Sequence, residues 1–179
     1  MSFADSFKRT IGVEGGYANN PKDPGGETMF GITKRVAVAN GYRDEMRLMP
    51  LSVAQTIYKK QYWDVNRLDD VDALSPELAH EMFDTGVNCG VAVAGKFLQR
   101  SLNVLNRQQK DYADITADGV VGPVTIHALK GLFSHRADGA RVLLAMLNAL
   151  QGAYYVEISE KNQNLEEFIF GWFKNRVII

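Results

Sequence analysis

Apolar residues recur at intervals of three and four through most of this chain, the period of helices with one buried face. Phe3, Phe7 and Ile11, with Ala4 beside them, predict a short amphipathic helix. Gly15 and Gly16 predict its end, because glycine accepts the left-handed cap without a Cβ penalty, and this places Glu14 in the last turn. Thr33 predicts the N-cap of a helix from Val36 to Asn40, closed by Gly41. Ser52 with Gln55 three residues on fits a capping box, followed by Val53, Ile57, Tyr58 and Tyr62 at helical spacing. Ser75 followed by Pro76 and Glu77 predicts a strongly marked helix start, with Leu78, Met82 and Phe83 as its buried stripe.

Gly90 to Leu105 reads as a further helix, small at its start (Ala92, Ala94, Gly95) and large later (Phe97, Leu98, Leu102), which predicts a close helix contact. Asp118-Gly119 is a turn signal, and Gly122-Pro123 opens a short helix ending near Gly131. The longest periodic segment runs from Ala137 to Ser159, with Leu143, Leu144, Leu147, Leu150, Tyr154 and Ile158 on one face. A last helix carries Phe168, Ile169, Trp172 and Phe173. No segment alternates apolar and polar residues long enough to predict a large sheet. The expected fold class is therefore mainly α, with at most one or two short strands between Tyr17 and Ile32.

At 179 residues and 46% hydrophobic, the chain is long enough for one substantial core. Twenty basic against 21 acidic residues leave a net charge of −1, so no global field draws the chain to nucleic acid or to an anionic membrane. The single cysteine, Cys89, excludes an internal disulfide and a multi-thiolate zinc site. His80, His127 and His135 lack metal-ligand spacing, so neither metal nor cofactor is expected. No signal peptide and no transmembrane run is apparent, and synthesis in a cytoplasm without membrane insertion is the expectation.

The segment from Val13 to Thr33, VEGGYANNPKDPGGETMFGIT, breaks every period. It carries Glu14, Asp23 and Thr28 among glycines and prolines. A carboxyl at a helix C-terminus feels the negative end of the macrodipole, which favours its protonated form and suits a general acid. Asp23, in a polar turn, is expected to stay ionised, and two carboxyls pushed apart in pKa are the pattern of glycosidic cleavage. Thr28 is placed to hold a water, while Gly26 and its neighbouring glycines let backbone and sugar approach closely. The alternative is a surface glutamate, an ordinary turn aspartate before Pro24 and plain turn glycines.

EGGYANNPKDPGGETMFGIT resembles the signature of the glycoside hydrolase family 108 N-acetylmuramidases, phage and bacterial endolysins. YWDVNRLDDV (62 to 71) and LSPELAHEMFDTGVNCG (74 to 90) extend the likeness, ADGVVGPVTIHAL (117 to 129) resembles the family's predicted peptidoglycan-binding region, and GWFKNRV (171 to 177) its ending. The resemblance implies a lysozyme-like helical fold and hydrolysis of the β-1,4 bond between N-acetylmuramic acid and N-acetylglucosamine in peptidoglycan strands. It implies Glu14 as catalytic acid, with Asp23 and Thr28 in support. A catalytic region over 1–95 and a peptidoglycan-binding region over 96–179, packed together in a monomer, are expected.

By family analogy the protein accumulates in a host cytoplasm and acts in the periplasm and cell wall after a holin lesion; delivery as a secreted effector is the alternative. Two other activities stay open: a lytic transglycosylase on the same bond, and a non-catalytic wall-binding module. Tyr17 and Asn88 are the expected sugar contacts, Asn88 alternatively a helix C-cap, whereas Trp63 and Trp172 are expected in packing. A Cys89–His80 nucleophilic pair is the weakest candidate beside a packing role for the thiol.

Overall fold

A computed structural model describes residues 2–12, 16–19 and 26–177. Helix α1 (Phe3–Ile11) starts on a capping box, with the Ser2 hydroxyl accepting from the Asp5 amide and the Asp5 carboxylate reaching back to the Ser2 amide. It ends earlier than its periodicity suggests. Gly12, at φ 75°, closes it ahead of the expected Gly15-Gly16 end, and the expected placement of Glu14 falls outside the described residues.

A small antiparallel sheet of β1 (Ala18–Asn19), β2 (Glu27–Met29) and β3 (Ile32–Thr33) comes next, in the order β1-β2-β3. Thr33 then caps α2 (Lys34–Ala39) through its hydroxyl, and Asn40 and Gly41 close it as expected. A 3-10 turn, Met46–Leu48, leads into α3 (Leu51–Tyr58). The expected Ser52 capping box is absent: Pro50 is the N-cap without a side-chain bond, because Pro50 sets the entry and leaves Ser52 inside the first turn. A π-helical turn, Lys59–Trp63, follows. It delivers Trp63 into the core, where the indole packs against Phe3 and Phe83 and donates to Asp69 Oδ1 at 2.7 Å.

After α4 (Leu68–Asp72), the central helix α5 (Pro76–Cys89) begins on the Ser75 hydroxyl and packs against α1, α4, α6 and α8. Leu78, Met82 and Phe83 are buried on it as the pattern predicts. Helix α6 (Val91–Leu105) explains its small residues by one contact: a Cβ at Gly95 would sit 2.3 Å from the carbonyl oxygen of Gly119, in the Asp118-Gly119 turn. Helices α7 (Pro123–His135), α8 (Gly139–Lys161) and α9 (Glu166–Asn175) complete the chain. The fold is mainly α with one small sheet, and among the described residues no helix is long and apolar enough to cross a membrane.

One hydrophobic cluster draws on both ends of the chain, from Phe7, Ile32 and Trp63 to Leu98, Leu129 and Leu147. The expected boundary between 95 and 96 falls inside α6. On α8 the buried face differs from the periodic one. Leu143 and Leu147 are buried, but the stripe continues through Asn148, Gln151, Tyr155 and Ser159 while Leu150 and Tyr154 are only half-buried.

Candidate active site

The sheet is organised by a two-residue turn. Phe30 and Gly31 both have positive φ, 52° and 75°, between the paired residues Met29 and Ile32, the backbone of a type I′ hairpin. A phenylalanine in the left-handed region is strained, and the turn is held by a hydroxyl. Tyr58, buried on α3, donates to the Phe30 carbonyl at 3.1 Å, and the Tyr58 hydroxyl oxygen lies 2.9 Å from where a Cβ on Gly31 would stand. Burial pushes the Tyr58 phenol up to about 12, so it stays a donor.

Register assigns the candidate residues to faces. Ala18 pairs with Thr28 and Thr28 with Thr33, while Asn19 pairs with Glu27 and Met29 with Ile32. Alternation therefore puts Ala18, Thr28 and Thr33 on one side, and Tyr17, Glu27, Met29 and Ile32 on the other. The second side is the packed one: Ile32 is buried, and Tyr17 and Met29 pack against the core. Thr28 and Tyr17 thus belong to opposite faces of the hairpin.

Tyr17 is already engaged. Its hydroxyl donates to Glu27 Oε1 at 2.8 Å, Lys34 Nζ reaches Glu27 Oε2 at 2.8 Å, and the Arg47 guanidinium lies 4.4 Å from the tyrosine ring centroid. The Lys34 and Tyr17 bonds hold the Glu27 carboxyl below its ordinary range. Gly26, at φ 67°, has nothing among the described residues within 4 Å of a hypothetical Cβ. Glu14 and Asp23 lie outside the described residues.

A second polar constellation sits in the helical body. Asp84 on α5 accepts from Arg176 Nη1 at 2.6 Å and from Gln151 Nε2 at 3.2 Å, joining α5, α8 and the end of α9. Glu81, 4% exposed, accepts from the Thr85 hydroxyl at 3.3 Å. Burial first, and the neighbouring Asp84 second, push its carboxyl up to about 8. Arg9, Thr10, His80, Glu81, Asp84 and Arg176 line a cavity of about 140 Å³ there.

Asn88 spends its amide nitrogen on the Asp84 carbonyl at 2.8 Å, one helical turn back, and the helix is capped by Gly90, not by Asn88. Burial pushes the Cys89 thiol up to about 11, the opposite of what a nucleophilic thiolate needs. Trp172 stacks on Tyr155 at 4.8 Å, a packing role. Among the described residues no group of three His, Cys, Asp or Glu is gathered to hold a metal.

Sequence reasoning did not find Glu27, Lys34, Arg47 or Tyr58 as part of this region. Only the Phe30-Gly31 step, a turn signal before Ile32, could have pointed to the hairpin they hold.

The family models match in two consecutive segments: Glycosyl hydrolase 108 over residues 7–90 and Predicted Peptidoglycan domain over residues 93–177. The chain joins a glycosyl hydrolase 108 region to a predicted peptidoglycan domain. The hydrolase segment contains the second half of α1, the hairpin and all of α5; the peptidoglycan segment contributes α7 to α9 and nearly all of α6. A solved structure described as that of Brucella abortus SagA is similar, with 26% identity, a TM-score of 0.68, 96% of this chain and 87% of that one covered. The mainly α, lysozyme-like fold accords with that match. No curated protein matches the sequence. Together the two regions support a glycoside hydrolase of muramidase type that acts on peptidoglycan.

Proposed function

We propose that this protein is an N-acetylmuramidase that hydrolyses the β-1,4 bond between N-acetylmuramic acid and N-acetylglucosamine, with Glu14 as the general acid. The observation that carries the reading is the EGGY to GIT signature lying within the hydrolase segment, on either side of the β1–β2 pair. Glu14 protonates the leaving oxygen, and Asp23 and Thr28 orient the attacking water, Thr28 from the face opposite to Tyr17. Gly26 gives a sugar ring room to approach. Asn88 meets the sugar through its amide oxygen and its second N–H, the first being given to the Asp84 carbonyl.

In such a mechanism the geometry of the two carboxyls sets the outcome: a separation of about 6.5 to 9.5 Å leaves space for water and inverts the anomeric centre. The endolysin setting, with synthesis in a host cytoplasm and access to the wall through a holin lesion, belongs to the same proposal.

Purified peptidoglycan digested with wild type and with Glu14→Gln, followed by mass spectrometry of the soluble fragments, tests it. New reducing-end N-acetylmuramic acid is expected from wild type, and a loss of turnover of about a thousandfold or more from the variant, whose melting temperature is unchanged. Anhydro ends would mean a transglycosylase, and intact strands from both proteins a wall-binding module.

A further inference from the structure

The neck of the hairpin carries more side-chain bonding than two short strands ordinarily do. β1 and β2 contribute two and three residues, so few ladder bonds fix the angle at which they cross. Around them, four side chains from four different elements meet. Tyr17 approaches from just before β1, Glu27 opens β2, Lys34 opens α2 and Arg47 stands in the 3-10 turn. Glu27 is the hub, with one carboxylate oxygen on Tyr17 and the other on Lys34. Its side chain is 27% exposed although Lys34 is 59% exposed, so the carboxylate is sheltered while its cation is wet.

A sugar platform needs a bare ring face and, in most cases, an available hydroxyl. Tyr17 has a guanidinium over one ring face, its ring packs against the core, and its hydroxyl is committed. Its chemistry is that of an anchor. The pleat transmits the anchoring: Thr28 lies between Glu27 and Met29, so rotating Glu27 about the strand axis swings the Thr28 hydroxyl on the other face.

We propose that Tyr17, Glu27, Lys34 and Arg47 form a clasp that orients the hairpin, and that Tyr17 and Glu27 are positioning residues for Thr28, not sugar contacts. This rests on the muramidase reading for its kinetic consequence, and on contacts alone for its structural one.

Kinetics of soluble peptidoglycan fragments with Tyr17→Phe, Glu27→Ala, Glu27→Gln and the Tyr17→Phe/Glu27→Ala double variant provide the test. Tyr17→Phe keeps the ring and removes the hydroxyl; Glu27→Gln keeps an acceptor for it. Each of Tyr17→Phe and Glu27→Ala is expected to lower kcat roughly ten- to a hundredfold with KM unchanged, since a small misplacement costs rate and not affinity. The double variant is expected to be no slower than the worse single one, because both break the same bond, and Glu27→Gln recovers most of the rate. A rise in KM with kcat intact, or effects that multiply in the double variant, would overturn the clasp.

Should wild type release no reducing ends, the muramidase reading fails by itself. Amide hydrogen exchange over 26–33 then decides the clasp. Faster exchange in Tyr17→Phe upholds it, and exchange equal to wild type overturns it.

Discussion

The hairpin and the α5–α8–α9 interior are both tied by carboxylates that take two partners, yet they answer to different physics. Glu27 holds Tyr17 and a lysine that is more than half exposed, in water, where ion pairs contribute little to stability and serve geometry. Asp84 holds Gln151 and Arg176 with its side chain 10% exposed, where an unmatched partner is expensive. One carboxylate shapes a partly exposed hairpin. The other fastens the end of the peptidoglycan segment to the central helix of the hydrolase segment, so the two family regions meet through a buried polar bond as well as through a shared apolar cluster.

The contrast is broken most directly at Asp84. Asp84→Ala leaves Arg176 and Gln151 facing each other without their acceptor. A quarter of the Arg176 side chain reaches solvent, which softens the penalty, and a loss of about 2–4 kcal/mol in denaturant unfolding is expected. A loss below about 0.5 kcal/mol would mean that the pair is no stronger than a surface one.

A smaller effect separates the regions by pH. The Glu81 carboxyl is ordinary in the unfolded chain, near 4.5, and is pushed up to about 8 when folded. The folded state therefore binds the proton more tightly, and the stability that follows is complete below pH 4.5 and lost as pH rises through 8. Melting temperature is expected to fall across that window, by the equivalent of about 1–3 kcal/mol. Glu81→Gln, neutral at every pH, removes this slope and melts higher than wild type above pH 8. A slope unchanged in the variant assigns it elsewhere.

These two regions also differ in how much of them the sequence disclosed. Helix starts at Ser75-Pro76 and Thr33, the Asp118-Gly119 turn and the α5 stripe were legible because each is a local rule written in adjacent residues. The α8 face was misread through Leu150 and Tyr154, since Asn148 and Gln151 look solvent-bound until their partners on α5 are known. The end of α1 was misread for a related reason: Gly12 and the Gly15-Gly16 pair are equally good caps by rule, and the structure uses the first. Thr28 and Tyr17 fell into one motif by proximity in sequence. Only the register of three short strands tells that they face opposite ways.

The last and smallest effect lies at the hairpin turn, where strain and sterics can be told apart. Tyr58→Phe removes the hydrogen bond to the Phe30 carbonyl, and a loss of about 0.5–1.5 kcal/mol in unfolding is expected. Gly31→Ala meets two obstacles, a positive φ and the Tyr58 oxygen 2.9 Å from the new methyl. In a Tyr58→Phe background the second obstacle is gone, while the first is untouched. The double variant should therefore be more stable than the sum of the two single losses predicts, by roughly 0.5 kcal/mol or more, measured as a double-mutant cycle. Strict additivity would show that Gly31 is required for backbone conformation alone, and that Tyr58 supports the turn from a distance without pressing on it.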